Sequence, residues 1–212
     1  MDKILGQYVL SHIDDEDPLL ARLYRETQLR MVNGRMCSDH LQGSLLTLLC
    51  KLIHPSRILE IGTYTGYSAI CLAQGLKEQG VLHTIEINDE LELLAASFFE
   101  ESGYRDRIIQ HIGDADTIIP LLEEEFDLVF IDADKRKYLS NYHLVFPKVT
   151  IGGIIIADNT LWAGKVVKPV AVNDEQTMAI MQFNDFVKND PRVETFMIPI
   201  RDGMSVLRKI SE

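Results

Sequence analysis

The sequence predicts an α/β protein built on a mostly parallel sheet, and three observations carry this prediction. From Arg57 onward, short apolar runs typical of buried strands alternate with apolar residues at helical spacing. The first of these strands runs into a glycine-rich turn, and a wholly helical segment precedes it. Near the C-terminus two strand patterns flank a tight turn, which indicates an antiparallel hairpin on one edge of the sheet.

The 212 residues are enough for one domain with a substantial core, and we expect a helical extension over 1–55 and an α/β core over 56–212. The chain is 46% hydrophobic and 25% charged, which is ordinary for a soluble globular protein. No apolar run approaches the ~20 residues of a membrane span. The N-terminus also lacks the pattern of a signal peptide. We therefore expect no membrane association and a cytoplasmic location.

Charge and residue usage exclude several classes of function. The net charge of −11 disfavours broad binding to nucleic acid or to anionic membranes. The 3 cysteines have no CxxC spacing and are an odd number, so we expect reduced thiols. The 6 histidines form no zinc-binding pattern. No GxSxG elbow and no P-loop occur.

The helical extension divides into three predicted helices, the first over 3–12. Pro18 suits the first turn of the second helix, which we expect to end near residue 32, before Asn33-Gly34. Ser38 or Asp39 is expected to cap the third helix, which ends near Ile53. Such an extension can cover an active site or pack against a second subunit.

In the core, strands and helices alternate. Strands are predicted at 57–61, 81–86, 107–112, 126–131 and 152–157, and helices at 67–79, 89–102, 115–124 and 135–146. Repeated βα units of this length predict a parallel sheet covered on both faces. A helix at 175–189 then leads to strands at 193–198 and 204–210, joined by a turn at Arg201-Asp202-Gly203.

The turn after the first strand reads Gly62-Thr-Tyr-Thr-Gly66. Such a turn lets a ligand approach the backbone and directs the amides of a helix N-terminus toward it. Its GxxxG spacing differs from the GxGxxG of dinucleotide-binding folds, so a dehydrogenase is not favoured. The stretch alone is equally typical of a plain structural turn.

Polar side chains follow the carboxyl ends of the predicted strands, where open α/β sheets bind their ligands. Glu86 could accept both hydroxyls of a ribose, or it could be a solvated loop acid. Asp132, Asp158 and Asn159 offer hard oxygen ligands that suit Mg²⁺. Asp and Asn are also common in turns and caps, and on spacing alone that role is favoured.

Lys135 lies three residues after Asp132, near the start of a predicted helix. A nearby cation and partial desolvation would favour its neutral form and make it a usable general base. By itself the pattern favours a surface lysine like its basic neighbours Arg136 and Lys137. Trp162 follows the candidate metal ligands, and we expect it to form a wall of a substrate pocket.

From about Met36 to the C-terminus the chain resembles the cation-dependent, S-adenosylmethionine-dependent O-methyltransferases of the caffeoyl-CoA and catechol type. The motifs that carry the resemblance are Leu59-Glu-Ile-Gly62-Thr-Tyr-Thr-Gly66-Tyr-Ser68, Phe130-Ile-Asp132-Ala-Asp-Lys135-Arg-Lys-Tyr138, Ala157-Asp158-Asn159-Thr-Leu-Trp162-Ala-Gly164 and Ile198-Pro-Ile-Arg-Asp202-Gly203. The second and third are more similar to the caffeoyl-CoA branch. The resemblance implies a Rossmann-like class I methyltransferase fold with a seven-stranded sheet.

The resemblance also implies a role for each matched position. The methyl donor, S-adenosylmethionine, is expected to contact Ser38, Gly62, Tyr64 and Ser68 through its methionine part, Glu86 through its ribose and Ala115 through its adenine, with Asp132 and Asp134 also facing it. The divalent cation, expected to be Mg²⁺, is expected on Asp132, Asp158 and Asn159. Lys135 matches the catalytic base.

The implied reaction is metal-dependent methyl transfer to a hydroxyl of a small vicinal diol, such as a catechol or a caffeoyl-like acceptor. In it the cation activates the hydroxyl and Lys135 takes the proton. One alternative is O-methylation of a hydroxylated uridine in tRNA, which the negative charge disfavours. Another is a binding module without turnover, which an intact Lys135 and metal set disfavour.

Two further expectations come from the resemblance. Pro199 stands where the catechol branch has a glutamate that steadies the second acceptor hydroxyl, so the acceptor contacts of that branch cannot be assumed here. Members of the family often use their N-terminal helices to form a dimer and the substrate entrance. We therefore expect a homodimer.

Overall fold

The computed structural model describes residues 3–212, and its centre is one seven-stranded sheet. The strands are β1 (Arg57–Ile61), β2 (Val81–Glu86), β3 (Ile108–Ile112), β4 (Phe126–Ile131), β5 (Val149–Asp158), β6 (Val193–Ile198) and β7 (Met204–Lys209). They lie in the order β3-β2-β1-β4-β5-β7-β6.

The strand directions confirm the predicted parallel sheet with a C-terminal hairpin. All neighbours from β3 to β5 are parallel, whereas β7 is antiparallel to both β5 and β6. The strand order reverses between β1 and β4. In open α/β sheets the crevice at such a reversal, beyond the carboxyl ends of the strands, is where ligands bind.

Helices cover both faces of the sheet. They are α1 (Lys3–Leu10), α2 (Pro18–Arg30), α3 (His40–Ile53), α4 (Tyr67–Ala73), α5 (Glu92–Glu101), α6 (Ala115–Ile118), α7 (Tyr138–Val145) and α8 (Glu175–Asn189). Side chains of α2 to α5 pack on one face, and those of α6 to α8 on the other. Within residues 3–212, no helix combines the length and apolar character that a membrane crossing requires.

The core consists of two apolar layers because successive side chains of a strand point to opposite faces. In β1, Ile58 joins the layer beneath α2 to α5, and Leu59 joins the layer beneath α6 to α8. All three cysteines are buried free thiols, as expected. Burial raises the pKa of Cys37 to about 11 and that of Cys50 to about 12, so these thiols stay protonated.

Several predicted helices are too long, for local reasons. The helix predicted at 67–79 ends at Ala73, because Gly75 is a poor helix former and the N–H of Lys77 donates instead to the carbonyl of Pro55 at 2.9 Å. The helix predicted at 115–124 ends at Ile118, because Pro120 lacks the N–H that would continue it.

The remaining boundaries differ by a few residues. The first two helices end at Leu10 and Arg30 rather than near residues 12 and 32. Asp39, not Ser38, caps α3. Single 3₁₀ turns precede α5 and α7, which begin at 92 and 138. β5 is longer than predicted, spanning 149–158.

Candidate active site

The candidate site lies where β1, β2, β4 and β5 end, at the strand-order reversal. Gly62 follows β1 with φ of +105°, and a Cβ at this position would overlap the carbonyl oxygen of Asp132. The N–H of Asp132 in turn donates to the carbonyl of Ile61 at 2.9 Å. The missing side chain therefore lets the loops after β1 and β4 pack directly against each other.

Glu86 ends β2, and its carboxylate is held in one orientation. One oxygen accepts from the backbone N–H of Tyr64 at 2.8 Å and the other from that of Asn88 at 2.9 Å. Tyr64 has φ of +48°. Each carboxylate oxygen keeps a free lone pair. The alternative that Glu86 is a solvated loop acid does not hold, since it is 8% exposed, whereas its binding of the ribose hydroxyls stays a prediction.

Two further predicted donor-binding residues flank this carboxylate. Ser68 lies buried in the first turn of α4. Ala115 begins α6, and the chain just before it is tied to β2 because the N–H of Gly113 donates to the carbonyl of Glu86 at 2.8 Å. The structure therefore brings Ser68, Ala115 and Glu86 to the same edge of the sheet.

Ser38 reaches the glycine turn from the helical extension. It is 5% exposed and lies just before the start of α3. The preceding residue, Cys37, has its Sγ 3.9 Å from Oγ1 of Thr65 in the turn, and Thr27 donates to the same oxygen at 2.9 Å. These contacts hold the chain just before Ser38 against the turn, and the contact of Ser38 with the methyl donor stays a prediction.

Lys135 is buried, which corrects the prediction of a surface lysine from its basic neighbours. It is 7% exposed, and its Nζ donates to Oδ1 of Asp132 and to the hydroxyl of Tyr138, both at 2.7 Å. Tyr138 donates its own proton to the carbonyl of Asp158 at 2.9 Å and therefore offers Lys135 a lone pair. Nζ also lies 6.0 Å from the centre of the Trp162 ring.

Asp158 is the last residue of β5 and is 4% exposed. Burial and the negative charge of Asp132 raise the pKa of Asp158 to about 7. Its Oδ2 accepts from Nε2 of Gln42 at 2.7 Å. Asn159 follows with φ of +56°. Two carboxylates that repel each other, one of them buried and the other part-exposed, are favourable surroundings for a cation.

The donor set fits Mg²⁺ better than a transition metal. Nowhere in residues 3–212 do three or more His, Cys, Asp or Glu side chains form a group that could hold a metal ion. Asp132, Asp158 and Asn159 supply two carboxylates and an amide, so the residue types are all oxygen ligands. Mg²⁺ accepts few protein ligands and keeps its other positions for water or substrate.

Asp134 has a local role in this structure. Its Oδ1 accepts from the backbone N–H of Arg136 at 3.1 Å, and the carboxylate pairs with the Arg136 guanidinium, the closest contact being 2.6 Å. Arg136 therefore holds the pKa of Asp134 below its usual range. The contact of Asp134 with the methyl donor stays a prediction.

Sequence reasoning missed three buried polar residues of this region. Glu60 is fully buried on β1, and it accepts from Oγ1 of Thr84 at 2.6 Å. Burial raises the pKa of Glu60 to about 8. The sequence feature that could have identified Glu60 is a charged residue inside an apolar strand. Gln42 lies on the same face of α3 as buried apolar residues, which is a weaker sign of a polar role in the site. No feature of the sequence pattern indicated the role of Tyr138.

Three buried polar atoms of this region have no hydrogen-bond partner among the described residues. They are Oε1 of Glu60, the hydroxyl of Tyr64 and Nε1 of Trp162. Buried polar groups almost always have partners, so these atoms retain hydrogen-bonding capacity that a bound water or ligand would complete. That Trp162 forms a wall of the acceptor pocket stays a prediction.

The comparison with a family model and the comparison with single proteins both identify O-methyltransferases. Residues 10–210 match the family model described as O-methyltransferase. The chain is 34% identical over 218 residues to caffeoyl-CoA O-methyltransferase 1 of Eucalyptus globulus, covering 98% of this chain and 89% of that protein. It is 31% identical over 222 residues to caffeoyl-CoA O-methyltransferase 1 of Arabidopsis thaliana, covering 98% and 85%.

Solved structures agree in fold. The O-methyltransferase TomG from Streptomyces achromogenes, in complex with SAM, superposes with a TM-score of 0.91 at 28% identity, covering 100% of both chains. An O-methyltransferase from Bacillus cereus, in complex with SAH, gives a TM-score of 0.89 at 27% identity, covering 97% of both chains. The predicted Rossmann-like methyltransferase fold is therefore confirmed.

Proposed function

This chain belongs to the O-methyltransferase family, and on that premise we propose that it transfers the methyl group of S-adenosylmethionine to one hydroxyl of a small vicinal diol. The acceptor class is a catechol or a caffeoyl-like phenol, and the reaction depends on a divalent cation, expected to be Mg²⁺. The observation that carries the proposal is the buried Lys135, held between Asp132 and Tyr138 at the edge where Glu86 also lies.

The donor site is formed by residues on either side of β1 and β2. Glu86 receives the ribose hydroxyls, because its oxygens are fixed by two backbone amides and still have lone pairs. Gly62 lets the loop after β4 pack against this turn, and Ser38, Tyr64 and Ser68 surround the methionine part. Ala115 lies beside the adenine.

The acceptor end of the site is formed by the ends of β4 and β5. Asp132, Asp158 and Asn159 would hold the cation, and their oxygen donors fit it. When bound, a divalent cation there would lower the pKa of an acceptor hydroxyl and align two neighbouring acceptor oxygens. Trp162, with its unpaired Nε1, borders the acceptor.

Lys135 is the group placed to take the acceptor proton. Its Nζ is fixed by two hydrogen bonds at 2.7 Å, so in its neutral form the amine presents its lone pair in a defined direction. Tyr138 cannot take this role, because its proton is committed to the carbonyl of Asp158. Holding donor, acceptor and base together supplies much of the acceleration, since the reacting groups need no further ordering.

The test is methyl transfer from labelled S-adenosylmethionine to catechols, caffeoyl esters, monohydroxy phenols and tRNA, each with Mg²⁺ or with EDTA. We expect product from vicinal diols in Mg²⁺, loss of product in EDTA and recovery when Mg²⁺ is returned. Full activity in EDTA would reject the cation. Product on tRNA alone would reject the small acceptor while keeping the donor.

A further inference from the structure

We propose that Gln42 is a positioning residue for the cation ligand Asp158, and that Arg201 holds Gln42 in its working orientation. The inference rests on the proposed function, which makes Asp158 a ligand. It concerns a residue of the helical extension, on α3, that lies 116 positions from the carboxylate it contacts.

Both ends of the Gln42 amide are used. The residue is 1% exposed, its Nε2 donates to Oδ2 of Asp158 at 2.7 Å, and its Oε1 accepts from the guanidinium of Arg201. The opposite orientation would turn Oε1 toward the carboxylate and the amide N–H groups toward the guanidinium. Both pairings would be repulsive, so Arg201 fixes which end of the amide faces Asp158.

Arg201 is itself anchored. It lies in the turn between β6 and β7, and its Nε is 3.4 Å from Oδ2 of Asp39. Asp39 caps α3 by accepting from the backbone N–H of Gln42 at 3.1 Å. Asp39, Gln42 and Arg201 therefore contact one another, and Gln42 alone of the three also contacts Asp158.

One carboxylate oxygen of Asp158 is therefore already engaged in a hydrogen bond. Oδ2 is turned toward Gln42, which leaves Oδ1 for a cation, and the hydroxyl of Tyr138 fixes the carbonyl of the same residue. Partners behind a metal ligand orient it, and removing one costs roughly 10- to 100-fold in metal affinity or activity. An apolar side chain at position 42 would pack as well but would leave Oδ2 free to turn.

The test measures Mn²⁺ binding by the electron paramagnetic resonance signal of the free ion, and donor binding by calorimetry. Gln42→Met keeps the length of the side chain and removes both hydrogen bonds. We expect its Kd for Mn²⁺ to rise roughly 10- to 100-fold while its Kd for S-adenosylmethionine stays within about twofold. Thr47→Val is the matched control on α3, because the hydrogen bonds of Thr47 go to Cys71, including its carbonyl at 3.0 Å, and not to Asp158.

Asp158→Ala separates this inference from the proposed function. If it abolishes Mn²⁺ binding while Gln42→Met binds as tightly as the natural chain, the inference is overturned and the cation site stands. If the natural chain and Asp158→Ala bind alike, or neither binds, the cation site fails and the inference fails with it.

Arg201→Met keeps the proposal testable should Gln42→Met not fold. It removes the contacts of Arg201 with Gln42 and Asp39 but keeps the hydrogen bond from Gln42 to Asp158, and we expect a smaller loss of Mn²⁺ affinity in the same direction. Unchanged Mn²⁺ affinity in this variant would overturn the role given to Arg201.

Discussion

Lys135 is the residue whose removal should separate catalysis from binding. Its Nζ contacts Asp132 and Tyr138, and although Asp132 is also expected to face the donor, Lys135 itself is not among the predicted donor-binding residues. We expect Lys135→Met to lower kcat by roughly 10²- to 10⁴-fold, the usual contribution of a general base, with donor affinity unchanged. Steady-state kinetics and calorimetry measure both, and Lys188→Met, on the exposed side of α8, should match the natural chain. Undiminished turnover in Lys135→Met would remove the base assignment.

Glu60 makes stability depend on pH at the level of one residue. Its pKa rises from an ordinary 4.5 to about 8 on burial, so between these values the folded protein holds a proton that the unfolded chain releases. The stabilising contribution of Glu60 is complete below pH 4.5, the ordinary pKa, and is lost as the pH rises to about 8, the pKa in the folded protein. We expect the free energy of unfolding to fall by up to about 1.4 kcal/mol per pH unit in this window.

Urea unfolding in EDTA between pH 5 and pH 8 measures this slope. Glu60→Gln removes the titrating group, so its slope should be shallower than that of the natural chain. It should not be flat, because Asp158, whose pKa is raised to about 7, acts with the same sign. Equal slopes for the two proteins would show that Glu60 does not titrate in this range.

The sequence predicted the site residues that lie at the carboxyl ends of strands. It missed those that reach the site only because a helix packs against the sheet. Glu86, Asp132 and Asp158 were placed correctly because parallel strands bring their carboxyl ends to one edge whatever their neighbours are. Gln42 could not be found in this way. Its partner is set by how α3 packs across the end of β5, and no local pattern encodes that packing.

At the level of elements, the turn from β1 to α4 tolerates no side chain at Gly62. An added Cβ meets the backbone of Asp132, and φ of +105° is itself unfavourable for other residues. We expect Gly62→Ala to destabilise by roughly 3 kcal/mol or more and to weaken donor binding. Gly152→Ala is the control, because φ there is +88° with nothing within 4 Å, and it should cost about 1–2 kcal/mol. Equal losses in urea unfolding would contradict the overlap.

Element types were predicted better than element lengths. The parallel strands and the hairpin follow from alternation and from the turn at Gly203, which are local signals, whereas the order of the strands was not predicted. Helix ends were misplaced where 3₁₀ turns or a proline intervene, as at Ile119–Leu121, because a short apolar pattern does not distinguish a 3₁₀ turn from an α-helical one.

At the level of the whole molecule, the helical extension offers a surface for self-association. Leu48 and Leu52 lie one turn apart on α3 and are 55% and 73% exposed. We expect a homodimer in sedimentation velocity, weakened by the double substitution Leu48→Glu and Leu52→Glu. Leu93→Glu, at an 82% exposed position on α5, should leave the mass unchanged. A species with the mass of one chain at micromolar concentration would contradict this expectation.

The position of β7 between β5 and β6 affects how the protein is made. Because β7 follows β5 and β6 in the chain, a nascent chain from which β7 has not yet emerged presents β5 as a bare edge and has no partner for β6. The hairpin turn that contains Arg201 also forms only when β7 pairs with β6. We expect ribosome-bound chains arrested before residue 204 to be protease-sensitive and unable to methylate, and both properties to change together in chains arrested far enough beyond residue 209 for β7 to leave the ribosome.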